Sequence, residues 1–131
     1  KEYYDKLPEH KKAQKGDILY SVVGSFGKPV YIEQDKRFVF QRHIAILRPD
    51  ECVNPKYLYY VLLNPEFYAK ADNYAIGAAQ RTLSLDSLRN MEINLPSIQN
   101  QNKIVEVLGR IDRKISVNAK INDNFLSHLL D

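Results

Sequence analysis

The spacing of apolar residues changes along the chain, and each change predicts a different kind of element. Residues 1–15 hold no sustained period, carry a run of charges and Pro8, and read as a linker or a truncated element. Lys15-Gly16-Asp17 is a turn signal that feeds Ile18-Leu19-Tyr20-Ser21-Val22-Val23, a short run of β-formers expected to be a buried strand. Gly24 to Pro29 breaks that run. Val30-Tyr31-Ile32 resumes a strand, and Glu33 to Lys36 turns the chain. From Arg37 to Leu47 the alternation is cleanest, with Phe38, Phe40, Arg42, Ile44 and Ile46 on one face and Val39, Gln41, His43, Ala45 and Leu47 on the other. Apolar residues on both faces predict a central strand, which Arg48-Pro49 ends.

The middle of the chain turns helical. Asn54-Pro55 and Asn64-Pro65 each pair an N-cap residue with proline at the first helical position, and Tyr57, Leu58, Val61 and Leu62 recur at helical spacing. Ile76 to Arg81 is rich in small residues and reads as a loop; Ser84 is placed to cap a turn through Arg89. Met91 to Leu95 alternates and stops at Pro96, which predicts a final strand.

Beyond Ser97, a further N-cap candidate, there is no proline and a single glycine. Apolar residues at Ile104, Leu108, Ile111, Ile115, Phe125 and Leu129 fall on a series with alternating steps of four and three, with Asn118 and Asn122 at its two polar positions. That is a heptad seam on a helix of roughly 50 Å, at 1.5 Å per residue. A helix of that length outreaches a small body, so the seam calls for a second helix to cover it; the competing arrangement folds the helix back on its own body. The pattern as a whole predicts an α+β fold: a mixed β-sheet with short flanking helices, then a long C-terminal coiled-coil-type helix.

Composition narrows the picture. In 131 residues, 44% are hydrophobic and 27% charged, a globular balance. One cysteine, Cys52, allows no internal disulfide and no four-cysteine zinc site, and fits a reducing cytoplasm. No apolar run approaches the roughly 20 residues that span a bilayer, so no membrane is expected among its partners. The chain opens on Lys1, not Met, as expected of a segment of something longer or of a chain that follows a removed tag. The net charge is +3, divided as +4 over residues 1–48, −2 over 49–97 and +1 over 98–131. The positive excess in the first third points mildly to an anionic partner.

Catalytic signatures are missing. Gly24-Ser25-Phe26-Gly27-Lys28 departs from the phosphate-loop spacing and runs into Pro29 where a helix would begin. His10, His43 and His128 are scattered away from metal-ligand spacing. No enzyme, metal or cofactor is expected. Three polar features remain. The loop with Ser25 and Lys28 offers backbone N–H groups and an ammonium to a phosphate, or is simply a tight connection. Gln41 and Arg42 have the chemistry for bidentate contact with adenine and guanine edges, or serve as structural hydrogen-bonders. Gln80 and Arg81 follow a small-residue loop able to approach a DNA backbone.

Several stretches together resemble one family. They are Lys15-Gly16-Asp17-Ile18-Leu19-Tyr20-Ser21 with the Gly24/Gly27 loop, Tyr57 to Leu62, and Gly77-Ala78-Ala79-Gln80-Arg81-Thr82-Leu83. Ile93-Asn94-Leu95-Pro96-Ser97 follows, then Gln101, Ile104-Val105, Leu108, Ile111-Asp112 and Ile115. In order and spacing they resemble the DNA-specificity subunit of type I restriction–modification systems. The resemblance implies a non-catalytic subunit whose two target-recognition domains each read half of a bipartite site in double-stranded DNA. Its spacer helices pair antiparallel, and methyltransferase and restriction subunits carry out the chemistry. Residues 1–96 would then be a partial recognition domain, lacking part of what usually precedes the Gly-Asp-Ile-Leu strand, and 97–131 a spacer helix. The expected DNA contacts are Ser25, Lys28, Gln41, Arg42, Gln80 and Arg81. The expected helix-pairing residues are Ile104, Leu108, Ile111, Ile115, Asn118, Asn122 and Phe125, facing a second recognition domain or a second copy. The rival expectation is a truncated interaction module that associates through its helix and binds no DNA.

Overall fold

The computed structural model describes residues 2–24, 26–35 and 43–130, the side chains of residues 2–3 and 119–130 excepted. Three short strands, β1 (Ile18–Ser21), β2 (Pro29–Tyr31) and β3 (Ile44–Leu47), form a sheet in the order β2-β1-β3. β1 is antiparallel to both neighbours, with Leu19 opposite Val30 on one side and Ile46 on the other. The α+β class stands, but the described sheet is antiparallel throughout, not mixed. Its central strand is β1, not the Arg37–Leu47 segment, whose residues 37–42 lie outside the described residues. β1 earns the middle because it is apolar on both faces: Ile18, Tyr20 and Val22 point to one side and Leu19 to the other.

Helices cover the first face. α2 (Pro55–Leu63) and α3 (Pro65–Tyr74) start as the Asn-Pro pairs predict, with Asn54 Oδ1 accepting from Lys56 N–H and Asn64 Oδ1 from Glu66 N–H, both at 2.9 Å. Ser84 caps α4 (Leu85–Asn90), accepting from Ser87 N–H at 3.1 Å. Leu62, Phe67, Ala71, Leu83 and Leu88 pack with Ile18, Tyr20, Val22 and Ala45 into the main core. The opposite face is covered by the N-terminal segment, which is no mere linker. It forms α1 (Glu2–Asp5) and a 3-10 turn (Glu9–Lys11), and buries Ala13 against Leu19 and Ile32. Asp17, 1% exposed, fastens this layer: it takes Gln14 N–H at 2.7 Å and both Nε and an Nη of Arg48 at 2.9 and 2.8 Å. The bidentate bond holds the Arg48 pKa above its ordinary value.

Met91–Leu95 is extended but joins no ladder among the described residues, so the expected final strand is corrected to a strap. Alternation gives it an inner side, where Met91 and Ile93 meet the core. Side chains hold its carbonyls in place of a neighbouring strand: Tyr57 Oη donates to Asn94 O at 2.8 Å and Lys70 Nζ to Glu92 O. The strap leads to α5 (Ile98–Leu130), one unbroken helix of 33 residues whose first turn is capped by Ser97 Oγ.

Candidate nucleic-acid interface

At the end of the sheet where β1 finishes, three distant pieces of chain meet. Val22 N–H donates to His43 O at 2.9 Å, Leu83 N–H to Val22 O at 2.8 Å, and Gly24 N–H to Arg81 O at 2.8 Å. Thr82 and Ile76 exchange both backbone bonds, at 2.8 and 2.9 Å, which closes residues 76–82 into a tight loop. The β1–β2 loop, the start of β3 and the 76–82 loop therefore form one rim.

The β1–β2 loop is built around Phe26, which is buried and stacks on Tyr68 of α3 with ring centroids 5.3 Å apart and planes at 12°. Gly27, at φ +87°, lies so close to Tyr68 that a Cβ would come within 2.5 Å of its ring. Here glycine is required by conformation and by space. Gly27 N–H donates to Ser21 O and Lys28 N–H to Ser21 Oγ. With Gly24 N–H engaged as well, these three amides are spent inside the fold, so what Lys28 offers an anion is its exposed side chain rather than a backbone cradle. Ser25 lies outside the described residues, as do Gln41 and Arg42.

On the opposing loop, Gln80 is exposed, and a Cβ added at Gly24 would stand 3.7 Å from its Nε2. Arg81 is occupied: its guanidinium meets Asp72 Oδ1 at 2.9 and 3.3 Å, Asp72 O at 2.6 Å and Gly77 O at 3.4 Å. It braces the loop against α3, and Asp72 balances its charge. Gly77 carries φ +108°, and a Cβ there would strike Gln80 O. The rim thus joins Lys28, His43 and Gln80 as exposed polar side chains, with Ile76, 75% exposed, beside them. Sequence spacing gave no sign of the Tyr68 stack, the Asp72 partner or the place of His43, because each depends on a contact between segments far apart in the chain.

α5 leaves from the other end of the sheet, where Ile18 pairs with Leu47 and Pro55 lies beside Gly16. Its body-facing side carries Gln101, fully buried, half-buried Val105 and Leu108, and Asp112, which accepts from Tyr60 Oη at 2.6 Å. The heptad seam sits about 60–70° round the helix from it at 100° per residue. There Ile104 is 39%, Ile111 48% and Ile115 61% exposed; Val107 is open beside them, and Asn118 is exposed. The side chains of Asn122 and Phe125 lie outside the described residues. Of the pairing residues within them, Leu108 alone is shared with the body. Among the described residues no group of His, Cys, Asp or Glu is arranged to hold a metal ion, and no helix is long and apolar enough to cross a membrane.

The family model for the type I restriction modification DNA specificity domain matches residues 2–125. The chain belongs to that family. It is 27% identical over 117 residues to the specificity subunit of the type I restriction enzyme HindI from Haemophilus influenzae, covering 86% of this chain and 26% of the relative. To the EcoBI specificity subunit of Escherichia coli it is 30% identical over 95 residues, covering 72% and 20%. A chain solved in work on complex assembly and conformational transition of the type I restriction–modification system superposes with a TM-score of 0.64 at 26% identity, over 80% of this chain and 25% of that one. This chain spans about a quarter or less of each of these proteins.

Proposed function

We propose that this chain is a DNA-reading segment of a type I specificity subunit. Residues 1–96 are its recognition body and 97–131 its spacer helix. The rim reads one half of a bipartite site in duplex DNA, with Lys28 and neighbouring cations on phosphates and Gln80 and the 41–42 pair at base edges. Arg81 acts chiefly by holding the 76–82 loop in shape. The seam of α5, Ile104, Leu108, Ile111, Ile115 and Asn118 with Asn122 and Phe125, pairs with the spacer helix of a second recognition domain or a second copy. The segment is non-catalytic; cytoplasmic methyltransferase and restriction subunits supply the chemistry.

The observation that carries this reading is the two-ended build, within a family of DNA specificity domains: an exposed polar rim at one end of the sheet, and a helix with an uncovered apolar stripe leaving from the other. Duplex titration of the intact subunit at two salt concentrations tests it. Lys28→Ala should weaken binding to all sequences and reduce the log–log salt slope by about 0.9. Gln80→Ala should cost about 1–3 kcal/mol on the preferred site alone. Unchanged affinity, preference and salt slope in both variants would remove the rim from DNA recognition, and a wild-type subunit that binds no duplex at low salt would favour a pure interaction module.

A further inference from the structure

We propose that Gln101, together with the Tyr60–Asp112 bond, is a two-point latch that fixes the direction in which α5 leaves the body. The latch follows from this chain's own contacts; its consequence for DNA, a set separation between paired half-sites, rests on the reading above.

Gln101 is 0% exposed, an unfavourable place for an amide unless its hydrogen bonds are made. They are. Oε1 accepts from Asn54 N–H at 2.8 Å, while Nε2 donates to Cys52 O at 3.1 Å and Pro96 O at 2.8 Å. Two of these partners belong to the turn that starts α2 and the third to the strap that starts α5. One side chain therefore ties the roots of both helices. Asn54 Nδ2 adds a bond to Asn102 Oδ1 at 2.8 Å.

A rod held at one point can swing, whereas a second point gives it a direction. That point is Asp112, eleven residues on and so about 16 Å along the helix, bonded to Tyr60 in the last turn of α2. Between the two, Val105 and Leu108 are half-buried on the side of α5 that faces the body. Past Leu108 an open groove of about 450 Å³, lined by Tyr31, Lys56, Tyr59, Gly109 and Arg113 among others, separates α5 from β2 and α2. Directional polar bonds thus bracket the apolar contact of Val105 and Leu108, and they fix a geometry that apolar packing alone would let slide. Leverage makes this matter: over a helix of roughly 50 Å, a swing of about 10° moves the far end by about 9 Å.

Pulsed electron–electron distance measurement on the whole chain tests the latch. Nitroxide labels go on Asn73→Cys in α3 and Lys114→Cys in α5, in a Cys52→Ser background. One narrow distance distribution is expected. Gln101→Leu, which keeps the volume and removes all three bonds, should shift and broaden it. Asp112→Ala should broaden it, and Asp112→Asn, which keeps an acceptor for Tyr60, should restore the original width; a role in stability alone would not produce that rescue. If Gln101→Leu does not fold, Asn102→Ala probes the same end. Unchanged distributions in folded Gln101→Leu (or Asn102→Ala) and in Asp112→Ala would overturn the latch. In the intact subunit, Asp112→Ala should also blunt the preference for one half-site separation. Broadening of the distance with that preference kept would leave the latch standing and count against the DNA reading.

Discussion

In the body, the apolar residues of β1 are divided between two clusters that the chain covers by itself, with Ile18, Tyr20 and Val22 under the helices and Leu19 under the N-terminal segment. On α5 the arrangement is reversed. Its inner side sets polar Gln101 and Asp112 beside half-buried Val105 and Leu108, and Ile104, Ile111 and Ile115 face outward. The same side-chain types are thus buried where local partners suffice and left bare where they do not. The difference bears on what lies outside the chain: the body covers its own clusters, and the open stripe on α5 is what the pairing proposed above would cover.

Substitutions at matched apolar sites would break this contrast if it is wrong. Leu83, 1% exposed, joins the β1 extension to the main core, and Leu83→Ala should cost about 2–5 kcal/mol in urea denaturation. Ile111→Ala should change the same measurement by no more than about 0.5 kcal/mol, while weakening self-association seen by light scattering. Equal losses at the two sites would mean that the chain covers its own stripe.

Charge sharpens the comparison next. Asp17 is buried and Arg48 part-exposed, with 41% of its side chain open, so Arg48→Met leaves a carboxylate inside without its partner. A loss of about 1–3 kcal/mol is expected by thermal or chemical unfolding. The surface pair Arg110–Glu106 on α5, both partners above 60% exposed, should show about 0–1 kcal/mol in a double-mutant cycle.

The smallest effect concerns the buried phenol of Tyr20. Its hydroxyl has no hydrogen-bond partner among the described residues, and burial pushes its pKa up to about 12. Tyr60, desolvated and bonded to Asp112, is likewise raised to about 12. Both folded values exceed the ordinary 10, so their contribution is whole below pH 10 and declines as pH rises toward about 12, because the unfolded phenols ionise first. Tyr20→Phe should alter stability at neutral pH by less than about 1 kcal/mol and flatten that alkaline decline, followed by denaturation at pH 9 and 11.

Much of this arrangement was legible in local signals. The Asn-Pro pairs and Ser84 marked helix starts because capping is a contact between near neighbours, and the heptad spacing gave α5 its length and its bare stripe. The strap at Met91–Leu95 was misread because alternation specifies two faces but not a neighbouring strand. The central strand was misassigned for the same reason: the alternation in Arg37–Leu47 did not reveal that β1 would find partners on both sides. At the rim, Lys28 and Gln80 were visible as residue types beside glycines. The commitment of Arg81 to Asp72, and of three loop amides to internal acceptors, appears only when the loops are in place.

The 76–82 loop is closed at its base by main-chain bonds between Ile76 and Thr82 and between Gly24 and Arg81, while Ala78, Ala79 and Gln80 are exposed at its tip. Bonds of that kind are indifferent to side-chain identity. With Gly77 and Arg81 kept, the side chains at 78–80 can therefore vary while the frame stays, which is what the reading of the rim proposed above would need for new specificities to arise without refolding.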